Sequence, residues 1–144
     1  MRKWIAFLLA AMMVLSMSVI TASAEADKVI TIWHLQSQDI QKAAFEQAKE
    51  RFEAANPGYK VDITVYQNDA YKTKIQVALA AGEAPDIFPS WSGGPMIEYV
   101  NAGLVTDLTQ LMTDSGLKDK LMDGAVAQAT YNGKIWGVPL ENVS

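Results

Sequence analysis

Four short stretches carry the side chains through which this chain could engage another molecule: His34-Leu35-Gln36-Ser37, Gln67-Asn68-Asp69, Ser90-Trp91-Ser92 and Glu141-Asn142. Each follows a run rich in apolar, β-forming residues. Together they offer an indole, an imidazole, amides, hydroxyls and carboxylates. An indole face accepts the apolar side of a ring, while amides and a carboxylate fix the hydroxyl groups around its rim. Trp91 lies in a Ser/Gly loop, where a place in the core is less natural, and Glu141 is the carboxylate best placed for contact. His34, the one histidine of the chain, also fits a purely hydrogen-bonded structural role. Asp69 can equally be a helix cap, and Trp33 fits the core better than a site.

Motifs for catalysis are missing. The sequence has no Gly-x-Ser-x-Gly elbow and no His-Glu-x-x-His, and Ser92-Gly93-Gly94 lacks the lysine of a phosphate loop. Asp and Glu are scattered without a pair spaced for acid/base work. The expectation is a binding protein, not an enzyme, with no cofactor and no metal.

The elements that must position these residues follow from periodicity. Val29 to His34 is β-branched and aromatic on both faces, as a strand covered by helices on both sides requires. Ser37 can cap the next helix, with Asp39 near its positive end and Ile40, Ala44, Ala48, Phe52 and Ala55 forming an apolar stripe. Asn56-Pro57-Gly58 stops it. Lys60 to Tyr66 reads as a second strand, followed by a helix with Tyr71, Ile75, Ala78 and Leu79 on one face and an end at Gly82. Ala84 to Pro89 is a third strand kept short by its prolines, and Pro95 suits the first turn of a short helix running to Val100.

Further helices are expected near Asp107–Met112 and Leu117–Gln128. Asn132-Gly133 marks a hairpin turn and Ile135 to Leu140 a final strand. This order predicts an α/β layer with a mainly parallel sheet flanked by helices. Ligands of such sheets sit beyond the carboxyl ends of the strands, which is where the four polar stretches fall.

The first residues speak for export. Arg2 and Lys3 precede an apolar run from Trp4 to Leu15, and Ala22-Ser23-Ala24 forms a small-x-small cleavage site. Residues 1–24 are therefore expected to be a signal peptide and residues 25–144 the mature part. Removing Arg2 and Lys3 from the twelve basic residues leaves ten against sixteen acidic ones, a formal charge of −6. With no basic run, nucleic acid is not an expected partner. The chain has no cysteine, which excludes thiolate chemistry and a lipid anchor on a cysteine. Without disulfides, an exported fold rests on its buried core.

Five blocks then line up with a known family. They are Ile30–His34, Phe52–Val61, Lys74–Ile87, Asn101–Leu108 and Tyr131–Pro139. In this order and spacing the sequence resembles the family-1 extracellular solute-binding proteins, which include maltodextrin-binding receptors. The resemblance implies a periplasmic-binding-protein-like (type II) architecture of two α/β lobes that close over a solute. Residues 25–144 would be the first lobe, incomplete, with the second lobe missing after the strand ending at Leu140. It implies ligand contacts at His34, Gln36, Ser37, Trp91, Ser92, Glu141 and Asn142, with Asp69 as a weaker case.

It further implies a monomeric receptor for a small-molecule carbohydrate, most simply an oligosaccharide. Such a receptor serves the ABC transporter permease subunits from the periplasm or the extracellular face of the membrane. The same architecture serves polyamine and iron receptors, because fold alone does not fix the ligand. A secreted enzyme or adhesion module with its decisive residues further along the chain is the rival from another class.

Overall fold

The structure is a computed structural model that describes residues 27–140. The expected signal peptide and the candidate residues Glu141 and Asn142 lie outside the described residues. Strand β1 (Lys28–His34) pairs in parallel with β2 (Tyr59–Val65), in a register that sets Ile30 beside Val61 and His34 beside Val65. Helix α1 (Asp39–Ala55) makes the crossover between them, as two parallel strands require.

On the other edge of β1 the expected third strand shrinks to a single parallel bridge between Ile32 and Ile87. The Trp33 N–H donates to the Ile87 carbonyl at 2.9 Å, and the Ile87 N–H to the Thr31 carbonyl at 3.0 Å. Pro85 and Pro89 have no N–H to offer, so the ladder cannot extend in either direction. A side chain continues it instead. The Asp86 carboxylate accepts the Thr31 N–H at 2.8 Å and the Thr31 hydroxyl at 2.7 Å. These bonds hold the Asp86 carboxyl below the usual carboxylate range. β1 is thus bonded along both edges.

Helix α2 (Asn68–Ala81) follows β2 and buries Tyr71, Ile75, Ala78 and Leu79, the stripe read from the sequence. Trp33, Leu35, Tyr66, Ala84, Phe88 and Tyr99 pack against this face. The helix ends at Gly82, whose φ of 71° is left-handed, and the Glu83 N–H returns to the Ala78 carbonyl at 2.8 Å. Helix α3 (Gly94–Asn101) carries Pro95 in its first turn and buries Met96. A second, smaller core of Met112, Val126 and Ile135 joins α4 (Thr109–Asp114), α5 (Asp123–Gln128) and a hairpin of β3 (Thr130–Tyr131) and β4 (Lys134–Ile135). Asn132 (φ 51°) and Gly133 (φ 73°) make the hairpin turn that the Asn-Gly pair signals. Asp107 ties this unit together by accepting from Thr109 and pairing with Lys134 at 2.9 Å, and its carboxyl is held down at about 2.

Five local expectations are corrected. Helix α1 begins after Gln38, not Ser37, and α2 after Gln67 with Asp69 inside the first turn; neither start has a side-chain cap. The predicted stripe of α1 faces outward, with Ile40 at 79% and Phe52 at 37% exposure. The face turned inward is Gln41, Phe45, Lys49 and Glu53. Polar bonds decide this: the Glu53 carboxylate accepts the Val61 N–H of β2 at 2.8 Å and pairs with Lys60 at 3.6 Å, filling the open edge of that strand.

The helix expected over Leu117–Gln128 divides into a 3₁₀ turn at Lys118–Lys120 and α5. The strand expected over Ile135–Leu140 ends at Ile135. β3 has only two residues to offer as partner: the Trp136 N–H still reaches the Ala129 carbonyl at 2.9 Å in the same register, but the Ala129 N–H is taken by the Val126 carbonyl at the end of α5, and the Trp136 Nε1 donates to the Tyr131 carbonyl at 3.0 Å.

Ile75, 1% exposed in the larger core, should be a sensitive position on α2. Ile75→Ala is expected to cost about 2–5 kcal/mol, measured by chemical denaturation of the whole protein. A loss below about 1 kcal/mol would show that this core does not hold the unit together.

Candidate functional site

At the carboxyl end of β1 the chain delivers Trp33 and His34 to opposite sides, because successive strand side chains alternate. His34 is 4% exposed. Its ring stacks on Phe45 of α1, with centroids 4.1 Å apart and planes within 6°, and its Nδ1 accepts the Gln36 N–H at 3.1 Å. Burial pushes its pKa below the ordinary 6.5; Glu46 opposes the shift and Lys42 adds to it. His34 therefore sits in the fold as a neutral acceptor that shapes the loop carrying Gln36 and Ser37. Ser37 is exposed and Gln36 half-buried at this edge.

Trp33 faces the other way, into a run of rings. Its centroid lies 4.8 Å from Tyr66 and 6.5 Å from Tyr71, and Tyr71 lies 6.0 Å from Trp91. Tyr71 is 0% exposed and its hydroxyl donates to the Pro89 carbonyl; burial, with a smaller effect of Tyr99, pushes the phenol pKa far up. The phenol thus stays protonated and tethers the start of the loop that carries Ser90, Trp91 and Ser92. Trp91 is 39% exposed, and Ser92 is exposed beside it.

The lysines of α2 complete the edge. Lys72 pairs with Asp69 at 3.7 Å and places its ammonium 5.5 Å from the Trp91 ring. Lys74 stands 5.5 Å from both Trp33 and Tyr66. Cations over aromatic faces hold the rings' orientation and keep donors next to them.

Of the residues expected from sequence, the structure joins Asp69 and Trp91 through Lys72, and groups Gln36 with His34. Trp33, Tyr66 and Tyr71 form a run of rings that reaches Trp91, and the Tyr66 N–H donates to the His34 carbonyl at 2.9 Å. Lys72, Lys74 and Tyr66 were not among the candidates. One signal for Lys72 was available, its spacing of three from Asp69 on a helix. Nothing local marks Lys74 or Tyr66, whose neighbours come from other elements.

The geometry is a polar and aromatic edge built at the carboxyl ends of parallel strands, the usual place for a ligand in an open α/β layer. The chain belongs to the bacterial extracellular solute-binding protein family, which matches residues 36–143. Among solved structures it is similar to one from work on xylan utilisation by the thermophilic bacterium Caldanaerobius polysaccharolyticus, with 41% identity and a TM-score of 0.70 over 76% of this chain and 28% of that one. It is also similar to a chitin oligosaccharide binding protein, at 31% identity and a TM-score of 0.69 over 75% of this chain and 28% of that one. The maltotriose-binding protein of Pyrococcus abyssi (strain GE5 / Orsay) is 28% identical over 76% of this chain and 23% of its own. The chain spans 32% or less of the length of the curated relatives it matches.

These likenesses fix the fold as a periplasmic-binding-protein-like layer of helices on a parallel sheet, present as part of one lobe. The family is one of exported binding proteins, not of enzymes.

The buried imidazole carries a pH signature. Because its folded pKa lies below 6.5, its contribution to stability is complete above pH 6.5 and is lost as pH falls through the folded value. A melting series from pH 8 to 5 should show this acid-side loss in the native protein. His34→Gln should flatten it while lowering stability overall through the lost stacking on Phe45. An unchanged slope would mean that His34 does not titrate differently on folding.

Proposed function

We propose that this chain belongs to an exported, monomeric receptor that binds a carbohydrate, most simply an oligosaccharide, and hands it unchanged to the permease subunits of an ABC importer. Trp91 carries the reading. A half-exposed indole, steadied by Tyr71 and flanked by Lys72 and Asp69, offers a ring-stacking surface with donors and acceptors at its rim. Sugars need this pairing of an apolar face with a polar rim. The named likenesses to proteins of xylan utilisation, chitin oligosaccharide binding and maltotriose binding support the same class.

The contacts we assign are Trp91, Ser92 and Asp69 on one side and Gln36 and Ser37 on the other. Glu141 and Asn142 would add a carboxylate and an amide from the stretch that follows. His34 would act through the loop it shapes. In the same reading the receptor works without cofactor or metal, is not anchored through a cysteine, and has no nucleic-acid partner.

A thermal-shift panel of oligosaccharides, monosaccharides, polyamines and ferric ion on the whole secreted protein tests this. A ligand at a hundredfold excess over its dissociation constant stabilises the folded state by about 2.7 kcal/mol. The expected result is a shift with one sugar series alone, weakened about tenfold in affinity by Trp91→Ala. A shift only with polyamines or iron would overturn the carbohydrate assignment, and turnover of the sugar would overturn the receptor.

A further inference from the structure

Beside Trp91 the structure holds a groove between α2 and α3. It has a volume of about 370 Å³ and is lined by Lys72, Ile75, Gln76 and Trp91 together with Pro95, Glu98 and Tyr99 of α3. That volume is within the ~300–1,000 Å³ usual for small-ligand sites. We propose that this groove is a second subsite, which takes a neutral pyranose ring at one end of an oligosaccharide whose other rings lie along the strand edge. It rests on the carbohydrate reading above and assigns to Gln76 and Glu98 a part in choosing ligand length.

The lining fits the two-sided chemistry of a sugar ring. Trp91, Pro95 and Tyr99 supply apolar surface for its C–H face, and Ile75 backs them from the core. Gln76 offers both donors and acceptors, Glu98 acceptors only and Lys72 donors only, which together can satisfy hydroxyls that do both. Among the described residues no hydrogen bond or ion pair engages the side chains of Gln76 and Glu98, so their capacity is open. Lys72 and Glu98 oppose one another in charge. An anionic ligand would meet the carboxylate and a cationic one the ammonium, so a neutral ligand suits the groove best.

The walls are also held in place. Ile75 is 1% exposed in the core beneath α2, and Tyr99 of α3 packs edge-on against Phe88 at 5.9 Å. Trp91 faces both the groove and the polar edge described above, and so would join the two. A subsite on two anchored helices keeps its geometry when a ligand arrives, which lowers the cost of binding.

Ligand length separates this proposal from the reading it rests on. Calorimetric titration of the whole protein with the di- and tetrasaccharides of the xylose and N-acetylglucosamine series would give both affinities. The expected result is a tetrasaccharide bound about tenfold tighter than its disaccharide, as one or two net hydrogen bonds and a stacked ring would produce. Gln76→Ala combined with Glu98→Ala should remove that gain and leave the disaccharide affinity unchanged. Both residues are exposed, and retained disaccharide binding reports that the variant is folded. Equal affinity for both lengths in the native protein, or a gain that survives the double substitution, would overturn the groove alone. An equal loss for both lengths would overturn it too. No binding of any sugar would overturn the carbohydrate reading together with the groove.

Discussion

The full burial of Tyr71 is the interaction on which the larger unit depends. Its ring meets Trp33 from β1 and Tyr66 from the end of β2, and its hydroxyl reaches the Pro89 carbonyl beyond the bridge at Ile87. One side chain on α2 therefore touches β1, the end of β2 and the segment that leads into the Trp91 loop. A buried phenol must keep its proton and find an acceptor, since an unpaired hydroxyl in the core costs about 1–3 kcal/mol. The acceptor it finds fixes where the Trp91 loop begins. Core and site are joined through that bond, so packing behind the sheet determines how the indole is presented in front of it.

The same economy appears in the backbone. β1 is bonded to β2 along one edge and to a single residue, Ile87, on the other. Two prolines keep the second edge short, and the Asp86 carboxylate takes up the Thr31 N–H that a longer ladder would have used. On the far side Glu53 does the same for β2 at Val61. Carboxylates standing in for strand neighbours let a narrow sheet satisfy its polar groups, and both are held below the usual carboxylate range by those bonds.

Much of the architecture was legible in the chain. The β-branched run at Val29–His34, the stripe of Tyr71, Ile75, Ala78 and Leu79, the left-handed end at Gly82 and the Asn132-Gly133 turn all appear where local pattern placed them. These are short-range effects of periodicity and backbone sterics. The polar stretches that follow β1 and β2, and the one that follows the bridge at Ile87, could be read in one dimension, because residue type at a strand end is a property of the chain. The failures also have local causes. The apolar stripe on α1 misled because its facing choice was made by Glu53 and Phe45, which meet β2 and His34. The final strand misled because apolar residues with β-propensity stay single when no neighbour offers an edge.

The sequence by itself determined the order of strands and helices, the acidic and cysteine-free composition, and which residue types stand at the strand ends. It did so because those properties depend on neighbours along the chain. Only the tertiary structure decided which way His34 and Trp33 point, that Lys72 links Asp69 to Trp91, and that a groove opens between α2 and α3. Each of these depends on distances between residues on different elements, and those distances are set by packing. Alternation along β1 makes the point most simply: it sends two adjacent aromatic rings to opposite faces, and what each ring meets there settles whether it shapes the fold or the site.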